Sequence, residues 1–251
     1  MMQVENISVV IDGRDIVRDV SFTLSEHEIL MITGPNGAGK TTLIRAVMRQ
    51  VPHAGSVMLD GKDIKRMHIP ELARKIGALT QTRNVSFDYS VYDIVSFGRY
   101  IYKTDFFGRL SPTDKEKIDE ALELTGTSHL KGQSVLSLSG GELQRVFLAQ
   151  LFCQNPDILI MDEPLNHLDI SFQISIFETI SKWAAQPRKA VVSVMHDLNI
   201  AYAYGTSTLM MDDTRTFAYG RTSEVLTPDN LEKVYGFDVS NHMKNLAEYW
   251  K

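Results

Sequence analysis

The apolar residues of this chain fall into short runs that are separated by polar turns. Residues 3–11 are rich in valine and isoleucine, and the Asp12-Gly13 pair that follows is a hairpin turn signal. Residues 28–33 form a short apolar run, which is typical of a strand buried on both faces of a sheet. Further strands are predicted at residues 20–24, 56–59, 76–80, 158–161, 189–195, 208–211 and 216–219.

Helical periodicity occurs between these strands and is most continuous in the middle of the chain. Helices are predicted at residues 39–49, 91–99, 112–124, 140–153, 170–185, 197–204 and 228–235. Ser111 and Pro112 suit the cap and the first position of the helix at 112–124. Alternating strands and helices imply a mainly parallel sheet. We therefore expect an α/β core of residues 1–84 and 156–251, with a helical subdomain, residues 85–155, inserted in it.

Composition narrows the classes of protein that fit. The chain has 251 residues, 43% hydrophobic residues and a net charge of -5, so a packed core is expected and a nucleic-acid partner is not. The single cysteine, Cys153, excludes an internal disulfide, and its apolar surroundings predict a buried helix residue rather than a nucleophile. We expect neither a signal peptide nor a membrane span, so a membrane role would require a partner.

A glycine-rich loop follows the apolar run at 28–33 and precedes a predicted helix. Its glycines let backbone N–H groups surround phosphates, and the lysine and the helix start add positive charge. The hydroxyl of Thr41 can hold Mg²⁺. The loop matches the phosphate-loop pattern and comprises Gly34, Pro35, Asn36, Gly37, Ala38, Gly39, Lys40, Thr41 and Thr42.

Two carboxylates follow the apolar run at 158–161. Asp162 is placed to hold Mg²⁺, and Glu163 is placed to orient or deprotonate an attacking water. Ligands of open parallel sheets bind at the carboxyl ends of the strands, which is where these side chains would lie.

A second phosphate-binding surface is predicted at residues 138–144. A serine caps a helix there, and two glycines expose the N–H groups at its positive end. Because the chain already has one phosphate loop, the second surface indicates a second chain. The residues are Ser139, Gly140, Gly141, Glu142 and Gln144.

Along the chain, the phosphate loop comes first, the segment 138–144 second and the two carboxylates third. In this order the motifs resemble those of ATP-binding-cassette (ABC) transporter ATPases, and the resemblance covers nearly the whole chain. The resemblance implies a P-loop NTPase fold: a RecA-like core, an N-terminal antiparallel β subdomain and an inserted helical subdomain. It also implies a head-to-tail dimer in which each ATP lies between one copy's phosphate loop and the other's signature at 138–144. Gln81 would contact Mg²⁺ and the attacking water, His196 would contact the γ-phosphate, and Asp169 would link the two sites.

Three segments, 90–102, 110–126 and 223–239, resemble the subfamily that serves importers of ferric siderophores, haem and cobalamin. This resemblance implies a peripheral subunit at the cytoplasmic face of the cell membrane. Its partners would be a transmembrane permease dimer, received in a groove near residues 81–102, and indirectly an extracytoplasmic substrate-binding protein. The alternatives are an oxyanion importer, an exporter, and a non-transport cassette that acts on ribosomes or DNA.

Three positions depart from the family pattern. Ile11 stands where an aromatic residue usually stacks on adenine, so we expect the base to be held by shape and by neighbours such as Arg14 or Val17. Leu165 replaces a small hydroxyl residue, and Gln150 replaces an arginine in the helix after the signature.

Overall fold

The structure, a computed structural model, describes residues 1–80, 87–102, 109–165 and 168–249. Its contacts group into two compact units. The first unit comprises Met1–Arg66 and Val192–Lys251, and the second comprises Met67–Val191. The predicted boundaries of the helical insert, at 84/85 and 155/156, stay a prediction.

The chain begins in the first unit. Its elements there are β1 (Met2–Ile11), β2 (Arg14–Leu24), β3 (Ile29–Thr33), α1 (Lys40–Val47), β4 (Ala54–Leu59) and β5 (Lys62–Asp63). The second unit contains α2 (Ile69–Lys75), β6 (Ile76–Leu79), α3 (Val91–Ser96), α4 (Pro112–Leu124), α5 (Gly140–Gln154), β7 (Ile158–Asp162) and α6 (Ile170–Ala184). Strand β8 (Ala190–Val194) spans the boundary, and the first unit ends with α7 (Leu198–Tyr204), β9 (Ser207–Asp212), β10 (Arg215–Arg221), α8 (Thr222–Val225), α9 (Pro228–Tyr235) and α10 (Val239–Glu248).

An antiparallel sheet in the order β2-β1-β4-β5 confirms the predicted N-terminal β subdomain. The turn between β1 and β2 consists of Asp12 and Gly13, whose φ angles of 49° and 74° are those of a type I′ hairpin. The inward side chains of β1 include Val4, Ile7 and Val9, which are at most 1% exposed and form the core beneath the sheet; the alternation is interrupted between Val4 and Ile7, where the register shifts.

The α/β character of the fold comes from parallel pairs of buried strands. In the first unit, β3 pairs parallel with β9, and β10 adds to β9 antiparallel. In the second unit, β6 pairs parallel with β7. Every residue of β3 and of β7 is buried, as the apolar runs predict, so the loops at their carboxyl ends start from rigid positions.

Three helices of the second unit, α3, α4 and α5, start at capping boxes. Ser111 and Asp114 exchange hydrogen bonds at the start of α4, which confirms the predicted cap. The predicted helix at 91–99 is an α-helix only over Val91–Ser96 and continues as a 3₁₀-helix over Phe97–Tyr102. Cys153 is 1% exposed in α5, and burial raises the pKa of its thiol to about 12, as expected for a helix residue in the core.

Helices α2, α8 and α10 were not predicted from the sequence. None of the α2 side chains is buried, so this helix has no apolar stripe for a pattern to detect. Within the residues described, no helix has the length and apolar character needed to cross a membrane.

Candidate active site

The loop after β3 requires glycine at its turning points. Gly34, Gly37 and Gly39 have φ angles of 135°, 84° and 94°. A Cβ at Gly34 would lie 2.1 Å from the Met211 carbonyl oxygen, and one at Gly39 would lie 2.3 Å from the Ile16 carbonyl oxygen. The loop backbone is therefore pressed against neighbouring strands, and a side chain would displace it.

The start of α1 is arranged to receive an anion. Its N-cap, Gly39, offers no side-chain hydrogen bond, and the first turn carries no acidic residue. A helix start of this kind favours an external anion, because its N–H groups and the helix dipole present positive charge. Lys40 is 6% exposed, and its Nζ donates hydrogen bonds to the carbonyl oxygens of Gly34 at 2.7 Å and Pro35 at 2.8 Å. The ammonium is thus held at the loop.

Strand β7 delivers its two carboxylates as predicted, but in different ways. Asp162, the last residue of the strand, is 2% exposed. Glu163 is half-buried and has a φ of 51°, in the left-handed region, which costs a residue with a side chain about 1 kcal/mol. Such strain is typical of functional sites, where the surrounding structure holds a residue against its preference.

The signature segment is the N-terminus of α5. Ser139 Oγ accepts a hydrogen bond from the Glu142 N–H at 3.3 Å, and Glu142 Oε2 accepts one from the Ser139 N–H at 2.8 Å. The hydrogen bonds from the Ser139 hydroxyl and N–H hold the pKa of Glu142 below its ordinary value. Gln144 Nε2 donates to the Pro164 carbonyl oxygen at 3.0 Å, which ties the signature helix to the turn that carries Glu163.

Two further residues predicted for the site, Asp169 and His196, are exposed near the starts of α6 and α7. Asp169 is the N-cap of α6, and its Oδ1 accepts hydrogen bonds from the Ser171 hydroxyl at 2.7 Å and the Phe172 N–H at 3.0 Å. These bonds lower the pKa of Asp169. His196 is exposed in the segment between β8 and α7. Gln81 lies outside the described residues, and so do the first two residues of the segment 166–169.

The structure places two of the residues that depart from the family pattern, Ile11 and Leu165, and also Val17, which was expected near the base. Ile11 is 43% exposed at the end of β1, which leaves it available for a contact. Val17 is 1% exposed, and its Cγ2 lies beside Gly39 of the phosphate loop, so a contact of Val17 with the base stays a prediction. Leu165 is 7% exposed within the second unit, so it serves packing there.

Two residues near the motifs were not predicted to have a role. Tyr235, at the end of α9, is hydrogen-bonded to the backbone of Gly34; burial raises the pKa of its phenol, and this bond partly opposes that effect. Arg145 in α5 stacks on Phe172 in α6, with 3.9 Å between the guanidinium carbon and the ring centre. Both contacts join residues distant in the sequence, so no local pattern predicts them.

Residues 17–166, more than half of the chain, match the family described as ABC transporter. The chain belongs to the ABC transporter family, and it is an ATPase of the transport type. Its fold agrees with solved cassettes: cbiO1 from Clostridium perfringens, part of the ABC transporter complex cbiONQ, has a TM-score of 0.79 and 26% identity, covering 98% of each chain.

Characterised relatives match over most of this chain. The ferric enterobactin transport ATP-binding protein FepC of Escherichia coli is 35% identical over 222 residues, which are 88% of this chain and 82% of FepC. The iron(3+)-hydroxamate import ATP-binding protein FhuC of Bacillus subtilis is 32% identical, covering 94% of this chain and 88% of FhuC. The cobalamin import ATP-binding protein BtuD of Halobacterium salinarum is 34% identical, covering 93% of this chain but only 58% of BtuD.

Proposed function

We propose that this chain energises the uptake of a metal chelate, such as a ferric siderophore, haem or cobalamin, as the ATP-hydrolysing subunit of an ABC importer. The observation that carries this proposal is the match, over at least 88% of the chain, to the ATP-binding proteins of ferric enterobactin, ferric hydroxamate and cobalamin transport. The net charge of -5 is unlike that of nucleic-acid-binding cassettes, which weighs against a ribosome or DNA partner.

In the proposed mechanism, the loop and the start of α1 bind the phosphates of ATP. Lys40 and the N–H groups of the first turn of α1 would stabilise the negative charge that develops on the γ-phosphoryl group. Glu163 would orient the attacking water and accept its proton, and His196 and Gln81 would contact the γ-phosphate and the water. We assign each of these roles by matching the family's motifs to the sequence of this chain, residue by residue.

The residues predicted to bind Mg²⁺ carry hydroxyl, carboxylate and amide oxygens, which are the kind of ligand that this ion prefers. Among the residues that the structure describes, no group of three or more His, Cys, Asp or Glu side chains is placed to hold a metal ion. Mg²⁺ typically binds through one or two carboxylates together with substrate phosphates and water, so such a cluster is not required. Thr41, Asp162 and Gln81 would hold the ion, whose charge would neutralise the β- and γ-phosphate oxygens.

The second copy of the chain would complete each site through its signature. Ser139 and Gly140 are exposed at the N-terminus of α5, where a phosphate from another chain can reach the N–H groups. A dimeric cassette, MJ0796, shares the fold with a TM-score of 0.78. Asp169, exposed at the N-terminus of α6, would contact the second copy beside the signature.

An aromatic cluster supports the proposed permease site. Phe87, Tyr89, Phe97 and Tyr100 form a chain of rings whose successive centroids are 6.2, 5.4 and 5.4 Å apart. Phe87 is 69% exposed and Tyr100 is 56% exposed, so the cluster offers apolar surface to a partner. Tyr102 does not belong to this cluster. Its hydroxyl donates a hydrogen bond to the Gln154 carbonyl oxygen at 2.9 Å and its ring stacks on Arg99, so it stabilises the second unit itself.

The hydrolytic role is tested by Glu163→Gln. This variant should bind ATP, lose turnover by about 100-fold or more, and elute as a dimer in size-exclusion chromatography with ATP. Glu178→Gln changes an exposed glutamate in α6 and is the control, which should turn over ATP normally. A Glu163→Gln protein that stays monomeric and retains turnover would refute the assignment.

The head-to-tail arrangement is tested by a matched pair of cap variants. Ser139→Arg and Ser111→Arg each remove a capping box, so both should lose about 1 kcal/mol of stability. Only Ser139→Arg should abolish hydrolysis, while ATP binding to the isolated chain is retained. Equal loss of hydrolysis in both variants would show that helix capping, not the signature, is responsible.

The importer role is tested by co-purification of this chain with its transmembrane permease, followed by uptake assays. One of these chelates, a ferric siderophore, haem or cobalamin, should be taken up, and oxyanions should not. Phe87→Ser should weaken assembly with the permease without loss of thermal stability, whereas Phe237→Ser, which changes another exposed aromatic residue, should assemble normally. Export of the cargo, or uptake of oxyanions only, would refute the proposed cargo class.

A further inference from the structure

The signature helix and the helix that follows Asp169 meet at one stack of side chains. Arg145, the sixth residue of α5, lies over the ring of Phe172, the third residue of α6, with 3.9 Å between the guanidinium carbon and the ring centre. Arg145 is 8% exposed, and its Nε has no hydrogen-bond partner within the residues that the structure describes. The aromatic face is therefore a principal partner of this buried cation.

The same cation acts on both helix starts. Glu142, which closes the cap of α5, and Asp169, which caps α6, have pKa values lowered first by their hydrogen bonds to Ser139 and to Ser171. The charge of Arg145 lowers both pKa values further through space. Arginine does not lose its proton in proteins, so this charge persists at every working pH.

We propose that Arg145 is a positioning residue: its stack on Phe172 fixes the signature segment and the Asp169 segment of one chain as a single surface for the second copy. Ser139 lies six residues before Arg145, and Asp169 lies three residues before Phe172, so each helix start is within two turns of the stack. This inference rests on the proposed head-to-tail dimer.

A stack of this kind is strong enough to matter for the dimer. A cation over a ring gains more when both are shielded from water, and Arg145 is buried. If the contact served only to fill space, methionine at 145 and leucine at 172 would replace it. If it positions the two segments, these replacements should weaken the closed dimer and leave ATP binding to the isolated chain unchanged, since the phosphate loop belongs to the other unit.

The test uses the full chain in a Glu163→Gln background, in which ATP should hold the dimer closed. The dimer dissociation constant is measured by analytical ultracentrifugation with ATP and Mg²⁺. Phe172→Leu and Arg145→Met should each raise it about tenfold, and the double variant should raise it no further, because both remove the same contact. Phe172→Tyr, which keeps an aromatic ring at this position, should leave the dissociation constant within about threefold of that of the parent. With Glu163 intact, kcat should fall and KM for ATP should not change.

Lys131→Met is the matched control, because it removes a cation 5.0 Å from the ring centre of Tyr92 elsewhere in the same unit. It should leave the dissociation constant unchanged. A Phe172→Leu dimer as tight as its parent, additive effects in the double variant, or an equal effect of Lys131→Met would each overturn the proposal while the head-to-tail dimer stands. A parent that does not dimerise with ATP would overturn both proposals.

Discussion

Gly39 and Gly37 provide a test of how the phosphate loop is held in place. Both have left-handed backbones, with φ angles of 94° and 84°. They differ in the space around them. A Cβ at Gly39 would lie 2.3 Å from the carbonyl oxygen of Ile16 and 3.2 Å from Cγ2 of Val17, both in β2, whereas a Cβ at Gly37 would meet no atom within 4 Å.

The expected effects of alanine follow from this difference. At either position, the left-handed backbone costs a residue with a Cβ about 1 kcal/mol. At Gly39, the new methyl group would also overlap a backbone oxygen, so the loop or β2 must shift, and overpacking of this kind costs about 1–3 kcal/mol. We therefore expect Gly37→Ala to lose about 1 kcal/mol of unfolding free energy and Gly39→Ala to lose about 3 kcal/mol.

The assay is urea denaturation followed by far-UV circular dichroism, without nucleotide, so that altered ATP binding cannot contribute. If the unfolding free energy falls with urea concentration at the same slope in both variants, the difference between their urea midpoints reports a difference in stability alone. A difference between the variants of less than about 0.5 kcal/mol would refute the reasoning, because it would mean that the loop moves freely away from β2.

Three further predictions concern the interior and the base. The Cys153 thiol, with its pKa raised to about 12, should not react with Ellman's reagent at pH 8 until the protein unfolds; equal rates in the native and unfolded states would contradict its burial. Arg99→Met should cost about 3 kcal/mol in urea denaturation, because Arg99 Nε donates to Asp114 Oδ1 at 2.8 Å and both side chains are only 11% exposed; a loss below about 1 kcal/mol would contradict this. Burial raises the pKa of Asp114, but hydrogen bonds from Ser111 and Arg99 outweigh it, so this stabilisation should be present above pH 3.8 and lost as the pH falls through the lowered pKa. Ile11→Tyr should tighten ATP binding about fivefold by stacking on adenine; unchanged affinity, with strong preference for ATP over GTP in the wild type, would show that Ile11 does not contact the base.

The elements that the sequence predicts well are those whose cause is local. The caps at Ser111 and Ser139 are hydrogen bonds over three residues, and a short motif encodes them. The first half of β2 was missed for the opposite reason. Residues 14–19 are largely charged and exposed, and they form a strand because their backbone pairs with β1. That pairing depends on a distant segment, which a local pattern does not contain.

In the candidate site, too, features with a local cause were predicted and contacts between distant segments were not. The loop glycines, Asp162 and the cap at Ser139 are local, and the structure places them as expected. The burial of Val17 is not a local property, because Val17 lies where the register of β1 and β2 shifts between Ile7 and Val10. The contact of Gln144 with Pro164 spans twenty residues, so the packing of the second unit alone reveals it.

The residues that directly follow the buried strands β3 and β7 both have a positive φ, but only the one after β7 has a side chain and is strained by it. Gly34 has a φ of 135°, and Glu163 has a φ of 51°. Glycine reaches such angles at no steric cost, so Gly34 is the residue that the backbone alone would favour. Among the described residues with side chains, Asn and Asp occupy six of the eleven positive φ positions, and their short polar groups tolerate this region. Glu163 has no such tolerance, and glycine there would stabilise the turn. A glutamate held against this preference, directly after a buried aspartate, is accounted for by the chemistry proposed for its carboxylate.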